Sequence, residues 1–446
     1  MMRRGVNSGV TSPSNNNQSI NNNKRNDHDN KLEKFQKFDI QSRNILFIIM
    51  LSMCILLIWL IQSADRYNER RMSKFQPSNI HAQKRSLQKK TDTGISLMDP
   101  NLYKAVTDLK GDSTTATVMG LASGYDLKTY MGFVGGLRKS GFKGHIILGV
   151  APDVSPEILE YFKYRQVTPK ILKWVNCTYT APEDDKADIF KKTKCSHPYS
   201  DIKIRWSRFP LQRDWLRDCK TCTGPVLVTD VRDTLFQLDP FGPGSPPVKG
   251  LQVFEEDKSQ TTQHWLTKWP IDSCKHVTYE ETMLCSGTTV GTREAMLKYL
   301  EIMYEEMKVW IETKECRFNI NGDDQSIHNY LFYSGQLPFA TAIPNRRGGI
   351  VNTIGVEGSN LRQEHADSMM KKYNIDKDHA MLKDFEGASG KRWIGKKFNI
   401  ADDDGMFVEF DGKTRSRVVH QWDRFGKPLL KYMRDNGFYD DPIPGK

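Results

Sequence analysis

The sequence predicts an α/β fold in which a mostly parallel β-sheet is flanked by helices. Residues 116–121 and 145–150 are apolar runs typical of strands, and residues 128–140 between them carry apolar side chains at helical spacing. Such a β–α–β unit places its two strands parallel through a right-handed crossover. A further apolar run at residues 226–228 predicts a strand buried on both faces. The continued alternation of strands and helices favours a single sheet covered by helices.

A membrane anchor is predicted near the start of the chain of 446 residues. Residues 45–61 (ILFIIMLSMCILLIWLI) are uncharged and almost wholly apolar, which is close to the shortest run that spans a bilayer. A buried core helix is the alternative, and the charged sequence on both sides argues against it. The resulting organisation is a disordered tail (1–44), a signal-anchor (45–61), a stem (62–113) and a globular domain (114–446).

The orientation of the anchor is predicted from the chain that follows it. The flanking basic residues are nearly balanced, with five in residues 25–44 and four in residues 62–81. Seven of the eight cysteines and the glycosylation acceptor Asn176-Cys-Thr178 lie beyond the anchor, and both suit an oxidising lumen. We therefore expect a single-pass type II protein of the Golgi or ER membrane, because a short anchor favours a thin bilayer.

The net charge of +11 is concentrated outside the predicted domain. Residues 1–44 hold eight basic and four acidic residues, residues 62–95 hold eight and three, and about +2 remains for the rest. The domain therefore lacks the basic surface of a nucleic-acid-binding protein. No GxxxxGK[ST] motif is present, which argues against phosphoryl transfer by a P-loop enzyme.

The cysteines predict two or three disulfides in the lumenal part. Their odd number leaves one thiol free or available to link two chains in a dimer. Cys219-Lys-Thr-Cys222 could form half of a zinc site, but no second CxxC pair completes it, so a disulfide is favoured.

Two carboxylates follow the predicted strand at residues 226–228. Asp230 and Asp233 come directly after the strand, at the carboxyl end where α/β sheets bind ligands. Their mutual repulsion would be relieved by a hard divalent cation, which takes one or two carboxylates together with substrate phosphate oxygens. The alternative is structural: Asp230 caps a turn, and Asp233 pairs with Arg232 or a nearby lysine.

Four segments together resemble a known family. They are VLVTDVRDTLFQLDPF, CSGTTVGTREAML, DDQSIHNYLFYSG and VVHQWDR, in that order, within residues 114–430. They resemble eukaryotic predicted nucleotide-diphospho-sugar transferases, which have the GT-A glycosyltransferase fold on a type II anchor. The resemblance implies a GT-A-like, Rossmann-like domain that uses Mn²⁺ or Mg²⁺, a nucleotide-sugar donor and a glycan, protein or lipid acceptor.

The resemblance also implies roles for single residues. Asp230, Asp233 and His420 would hold the metal, although the acids are spaced DxxD and not DxD. The nucleotide sugar would contact Asp230, Arg232, Ser286, Gly287 and Gln325. Asp324, with Asp323 as substitute, would take the acceptor proton in an inverting reaction. Cys285 stands where relatives commonly have Asn, and a disulfide is one expected use of it.

Each of these roles has a structural alternative. Asp323 or Asp324 could only cap a helix, His420 could be an ordinary buried histidine, and Arg232 could pair with Asp230 or Asp233. Two other function classes stay open at this point. A glycoside hydrolase also uses a carboxylate pair but needs neither metal nor nucleotide, and a non-catalytic protein of the same fold would bind the nucleotide sugar without transferring it.

Overall fold

A twisted sheet lies at the centre of the computed structural model, which describes residues 94–103, 105–106, 113–178, 194–258, 281–312, 323–359, 367, 370–371 and 399–445. The strands within these residues are, in chain order, β1 (Ala105–Val106), β2 (Thr117–Leu121), β3 (His145–Val150), β4 (Val167–Ile171), β5 (Trp174–Val175), β6 (Cys195–Ser196), β7 (Val226–Thr229), β8 (Thr234–Phe236), β9 (Val248–Lys249), β10 (Leu251–Glu255), β11 (Leu284–Gly291), β12 (Ala340–Ile343), β13 (Val351–Thr353) and β14 (Val418–His420).

The central sheet has seven strands in the order β12-β10-β11-β7-β2-β3-β4. Only β11 runs against its neighbours, because it pairs antiparallel with both β10 and β7 while the other neighbouring strands pair in parallel. The carboxyl end of β7 therefore lies beside the middle of β11, where Thr229 pairs with Thr288. The predicted α/β class with a mostly parallel sheet is confirmed, and the topology is compatible with a Rossmann-like fold.

Helices cover both faces of this sheet. The α-helices of the described residues are α1 (Leu127–Tyr130), α2 (Gly136–Lys139), α3 (Pro156–Tyr164), α4 (Ile204–Asp218), α5 (Arg293–Glu312), α6 (Asp323–Tyr333) and α7 (Lys427–Asp435). A π-helical segment, Met131–Gly135, joins α1 to α2. Ser155 caps α3 with its hydroxyl, as its position before Pro156 predicts.

The alternation of side chains along β7 explains the two layers. Val226 and Val228 belong to a core shared with α4, α5 and α6, whereas Leu227 belongs to a second core shared with the segments from α1 to α3. Successive side chains of a strand point to opposite faces, so a strand that is apolar at every position has to be covered on both. The prediction of a doubly buried strand at residues 226–228 is confirmed.

A smaller sheet, β13-β14-β8, continues from the central one. β14 pairs in parallel with β13 and antiparallel with β8, and its register sets His420 opposite Thr234. The loop between β7 and β8 thus connects the two sheets, as does the segment between β12 and β13. A third core, which contains Trp422, Phe425 and Leu429, packs this sheet against α7.

The packed part of the chain extends toward the N-terminus beyond Thr114. Leu102 is fully buried in the core of the central sheet, and β1 pairs with β9. The predicted anchor at residues 45–61 lies outside the described residues. Among the helices that the structure does describe, none has the length and apolar character needed to cross a bilayer.

Two disulfides are formed among the described residues. Cys177 is joined to Cys195, and Cys219 to Cys222, which confirms the disulfide interpretation of the CxxC pair. The expectation that Cys285 takes part in a disulfide is wrong, because Cys285 is free and buried inside β11. Asn176 is exposed next to the first disulfide, where a glycan would have access to it.

Candidate functional site

The loop that leaves the carboxyl end of β7 brings three metal-binding side chains together. Asp230 begins this loop, Asp233 ends it, and His420 arrives from β14 of the smaller sheet. Each side chain offers one ligand atom, and these atoms lie within 4.8 Å of one another. We call Asp230, Asp233 and His420 the acid–histidine triad. Its oxygen and nitrogen donors suit a divalent cation, as the sequence predicts.

Backbone contacts fix the two ends of the loop. The Asp230 amide donates to the Gly287 carbonyl at 2.8 Å, and the Gln421 amide donates to the Asp233 carbonyl at 2.8 Å. The hydroxyl of Thr234 lies 3.2 Å from His420 Nδ1 and 2.7 Å from the hydroxyl of Thr229. These contacts hold the triad between the two sheets, so its geometry depends on both.

The carboxyl groups of the triad differ in their surroundings. The Asp233 side chain is 8% exposed, and its Oδ1 lies 3.9 Å from His420 Nδ1. Burial raises the pKa of Asp233; His420 opposes this rise, and the charge of Asp230 adds to it. The Asp230 side chain is 41% exposed. A cation bound here would have one buried and one accessible carboxylate.

Gly287 leaves the space in front of the triad open. A Cβ built on Gly287 would lie 2.7 Å from Asp230 Oδ2 and would also collide with His420 Nε2. The backbone of Gly287 is not in the left-handed region, so a side chain is excluded by space and not by strain. The small residue predicted to let ligands approach thus lies against two of the three candidate ligands.

Arg208, from α4, is a site residue that the sequence did not indicate. Its Nη1 donates to Asp230 Oδ1 at 2.5 Å, and its Nη2 donates to Asp324 Oδ2 at 2.5 Å and to the Ser286 carbonyl at 3.2 Å. Burial by itself lowers the pKa of Arg208, but Asp230 and Asp324 together raise it above its usual value. Because the guanidinium takes Oδ1 of Asp230, Oδ2 stays directed toward Gly287 and His420.

The start of α6 carries Asp324, predicted to take the acceptor proton, and Gln325, predicted to contact the nucleotide sugar. The Gln325 side-chain oxygen accepts hydrogen bonds from the Ser286 amide and hydroxyl at 3.3 Å each. Asp324 Oδ2 accepts a hydrogen bond from Arg208, so this oxygen already has a cationic partner. Asp323 begins α6, and its side chain lies outside the described residues.

Arg232 is separated from the other predicted site residues. It lies in the loop between Asp230 and Asp233, but its guanidinium turns to Asp423, 3.7 Å away. The interpretation that Arg232 pairs with Asp230 or Asp233 is therefore wrong. Its side chain is 58% exposed, so it remains accessible to a ligand.

Glu256 is a buried carboxyl group that connects several parts of the site. Glu256 follows β10 and is 3% exposed; it accepts a hydrogen bond from Gln325 Nε2 at 2.9 Å. Burial raises the pKa of Glu256, and hydrogen bonds from Gln325, Gln421 and the Cys285 thiol oppose the rise. Glu256 therefore ties the strand that carries Ser286 to the segment that follows His420. The acidic run Glu255-Glu256-Asp257 at a strand end was a signal in the sequence that pointed here.

Tyr125 borders the triad from the other side. It follows β2 at the same edge of the sheet and is half-buried. Burial, and after it the charge of Asp230, raises the pKa of its hydroxyl. Tyr125 thus brings an aromatic ring close to the triad, and no motif in the sequence marks it.

A second buried acid near the site predicts a pH dependence of stability. Asn345 donates to Glu357 Oε1 at 3.0 Å, Oε2 has no partner among the described residues, and burial raises the Glu357 pKa to about 7. The native state therefore holds this proton above the ordinary pKa of 4.5, and stability falls as the pH rises between these values. We expect Glu357→Gln to stabilise the protein by about 1–2 kcal/mol at pH 8 and hardly at all at pH 4.5. Melting curves at both values would measure it, with the exposed Glu305→Gln as control; an equal gain at both would contradict the prediction.

Comparisons with known proteins give no independent identification. No protein-family model matches the chain, and no curated protein matches it. The function is therefore inferred from the residues that the fold brings together.

Proposed function

We propose that the protein is a metal-dependent glycosyltransferase with a GT-A-like domain, which moves a sugar from a nucleotide-diphosphate donor to a glycan, protein or lipid acceptor. The single observation that supports this most is the acid–histidine triad at the carboxyl end of a central strand, with Gly287 leaving the space before it open. α/β sheets bind ligands at this edge.

The residues of the triad fit a hard divalent cation, Mn²⁺ or Mg²⁺. Asp230, Asp233 and His420 would hold it, and the open side at Gly287 would admit phosphate oxygens. When bound, such an ion neutralises charge that develops on a leaving diphosphate. Arg208 supplies a second, permanent positive charge beside Asp230. Its contact with Asp324 fixes the start of α6.

The ion pair between Arg208 and Asp324 affects how the proton would be transferred. In an inverting reaction a carboxylate takes the acceptor proton. Asp324 Oδ2 is bound by Arg208, and it would be released to the acceptor if the guanidinium turned to the donor diphosphate. We propose this exchange of partners for Arg208, with Ser286 and Gln325 fixing the neighbouring backbone.

The proposal is tested by binding and by turnover. With Mn²⁺ and UDP or GDP at about 100 times the dissociation constant, the melting temperature should rise by roughly 5 °C. Asp230→Asn and Asp233→Asn should abolish both this rise and the metal-dependent release of nucleotide from a panel of nucleotide sugars. The exposed Asp153→Asn is the matched control.

Each other function class gives a different result in this experiment. Stabilisation by the nucleotide without any sugar transfer would indicate a non-catalytic binding protein. Hydrolysis of glycosides in the presence of chelator, without nucleotide binding, would indicate a glycoside hydrolase. Full transferase activity in both Asn variants would exclude the metal site.

A further inference from the structure

A pocket of about 470 Å³ lies beside the acid–histidine triad. Arg232 from the loop that carries the two acids, and Thr234 at the start of β8, line it together with the segment after β14 and the C-terminal helix α7. Thr234 contacts His420 and also lines the pocket, so the two sites share a wall. The volume is that of a small-ligand site.

Aromatic residues form part of the pocket lining. Phe133, Trp422 and Tyr439 line it from three different parts of the chain. Phe133 belongs to the π-helical segment that interrupts the first crossover helix, and single π-turns are frequent at functional sites. Phe133 and Trp422 are only 2% and 5% exposed and close the pocket as core side chains. The half-buried Tyr439 offers the aromatic surface on which the apolar face of a sugar can stack.

Two arginines stand at the rim with most of their donors unused. The side chains of Arg232 and Arg424 are 58% and 43% exposed, and both share the same Asp423 oxygen at 3.7 Å and 3.6 Å. Among the described residues neither guanidinium has another ion pair or a side-chain hydrogen bond. The guanidinium group of each arginine can therefore bind an anion through two parallel hydrogen bonds. Lys128, 5.8 Å from the centre of the Tyr439 ring, adds positive charge.

We propose that this pocket binds an acidic sugar unit of the acceptor, a saccharide ring that carries a carboxylate or a phosphate. The ring would stack on Tyr439, and its anion would pair with Arg232 and Arg424. The assignment to the acceptor rests on the proposed transferase. There the diphosphate of the donor is neutralised by the metal and by Arg208, which leaves the rim arginines for a second anionic ligand.

The test is calorimetric titration of the full chain in EDTA, without donor, so that it does not depend on the metal site. The probes are methyl β-D-glucuronide, glucose 6-phosphate and the neutral methyl β-D-glucoside. At least one acidic probe should bind about tenfold more tightly than the neutral one, and the better of the two identifies carboxylate or phosphate. Arg232→Gln/Arg424→Gln should remove this preference, and Leu430→Trp, which fills the pocket, should remove binding.

The control variant Lys163→Gln/Arg347→Gln loses the same charge at exposed positions outside the pocket lining and should keep the preference. Equal binding of acidic and neutral probes, or absence of binding by both acidic probes, would overturn the proposal. Displacement of the acidic sugar by UMP would assign the pocket to the donor nucleoside and would overturn it too. The Asp230→Asn variant should still bind the acidic probe more tightly than the neutral one. Failure of the transferase proposal alone would leave this preference intact, whereas failure of the pocket proposal would remove it.

Discussion

Replacing Arg208 by glutamine is expected to lower the free energy of unfolding by about 3 kcal/mol. The Arg208 side chain is 13% exposed and is bound to two carboxylates, Asp230 and Asp324. Its removal leaves two acids close together, one of them 17% exposed, with no positive charge between them. Breaking a buried ion pair from one side costs far more than the pair itself contributes, because the remaining charge has lost its partner. Urea unfolding at pH 7, followed by tryptophan fluorescence, would measure the loss.

The surface pair of Arg217 and Asp214 provides a matched control. These residues lie in the same helix, and the atoms are 3.0 Å apart, but the Arg217 side chain is 44% exposed. Arg217→Gln should therefore cost no more than about 1 kcal/mol. If Arg208→Gln cost as little, the bridge would be an ordinary surface contact and not a part of the site.

A second substitution separates charge repulsion from lost packing. Asp324→Asn in the Arg208→Gln background removes one of the two facing carboxylates. Part of the lost stability should therefore return, although Asp324→Asn alone is destabilising. Arg208→Lys should not restore the wild-type stability, because one ammonium group cannot reproduce the fork that binds Asp230 and Asp324 at once.

The sequence predicts best where a pattern is local. Strands β2 and β3 and the helical segments between them follow from apolar spacing within about 35 residues. The two acids after β7 were predicted for the same reason, since strand and carboxylates are contiguous. Ser155 at the start of α3 shows the same for a helix cap.

The rest of the site depends on contacts between distant parts of the chain. Arg208 reaches Asp324 across 116 positions, and Thr234 reaches His420 across 186. No periodicity in the sequence encodes such pairs, so Arg208 was missed, and His420 was indicated only by family resemblance. The pairing of Arg232 was predicted wrongly for the same reason, because its partner Asp423 comes from the distant segment after β14.

Cys285 shows how burial overrides a residue-type rule. Cysteines beyond a signal-anchor are expected to pair, but Cys285 lies in the fully buried strand β11, beside Glu256. Burial raises the pKa of its thiol well above the usual value, which keeps it protonated. It therefore acts as a small buried side chain that donates a hydrogen bond.

Replacing Gly287 by alanine is expected to weaken Mn²⁺ binding about 100-fold. The new methyl group would occupy the position 2.7 Å from Asp230 Oδ2 and would collide with His420 Nε2. Either ligand must then move, and His420 has little freedom because it is 1% exposed and contacts Thr234. Titration of the full chain with Mn²⁺, followed by electron paramagnetic resonance of the free ion, would measure the affinity.

The matched control for this substitution is Gly136→Ala. A Cβ at Gly136 meets nothing within 4 Å, and the residue lies in α2, away from the triad. The same chemical change should therefore leave Mn²⁺ affinity unaltered. The fold should also be kept, because alanine is a better helix former than glycine. Unchanged affinity in Gly287→Ala would mean that the cation does not lie between Asp230 and His420, and the triad would lose its proposed role. If Gly287→Ala loses affinity while Gly136→Ala keeps it, and the melting temperature is preserved, the ion lies beside Gly287.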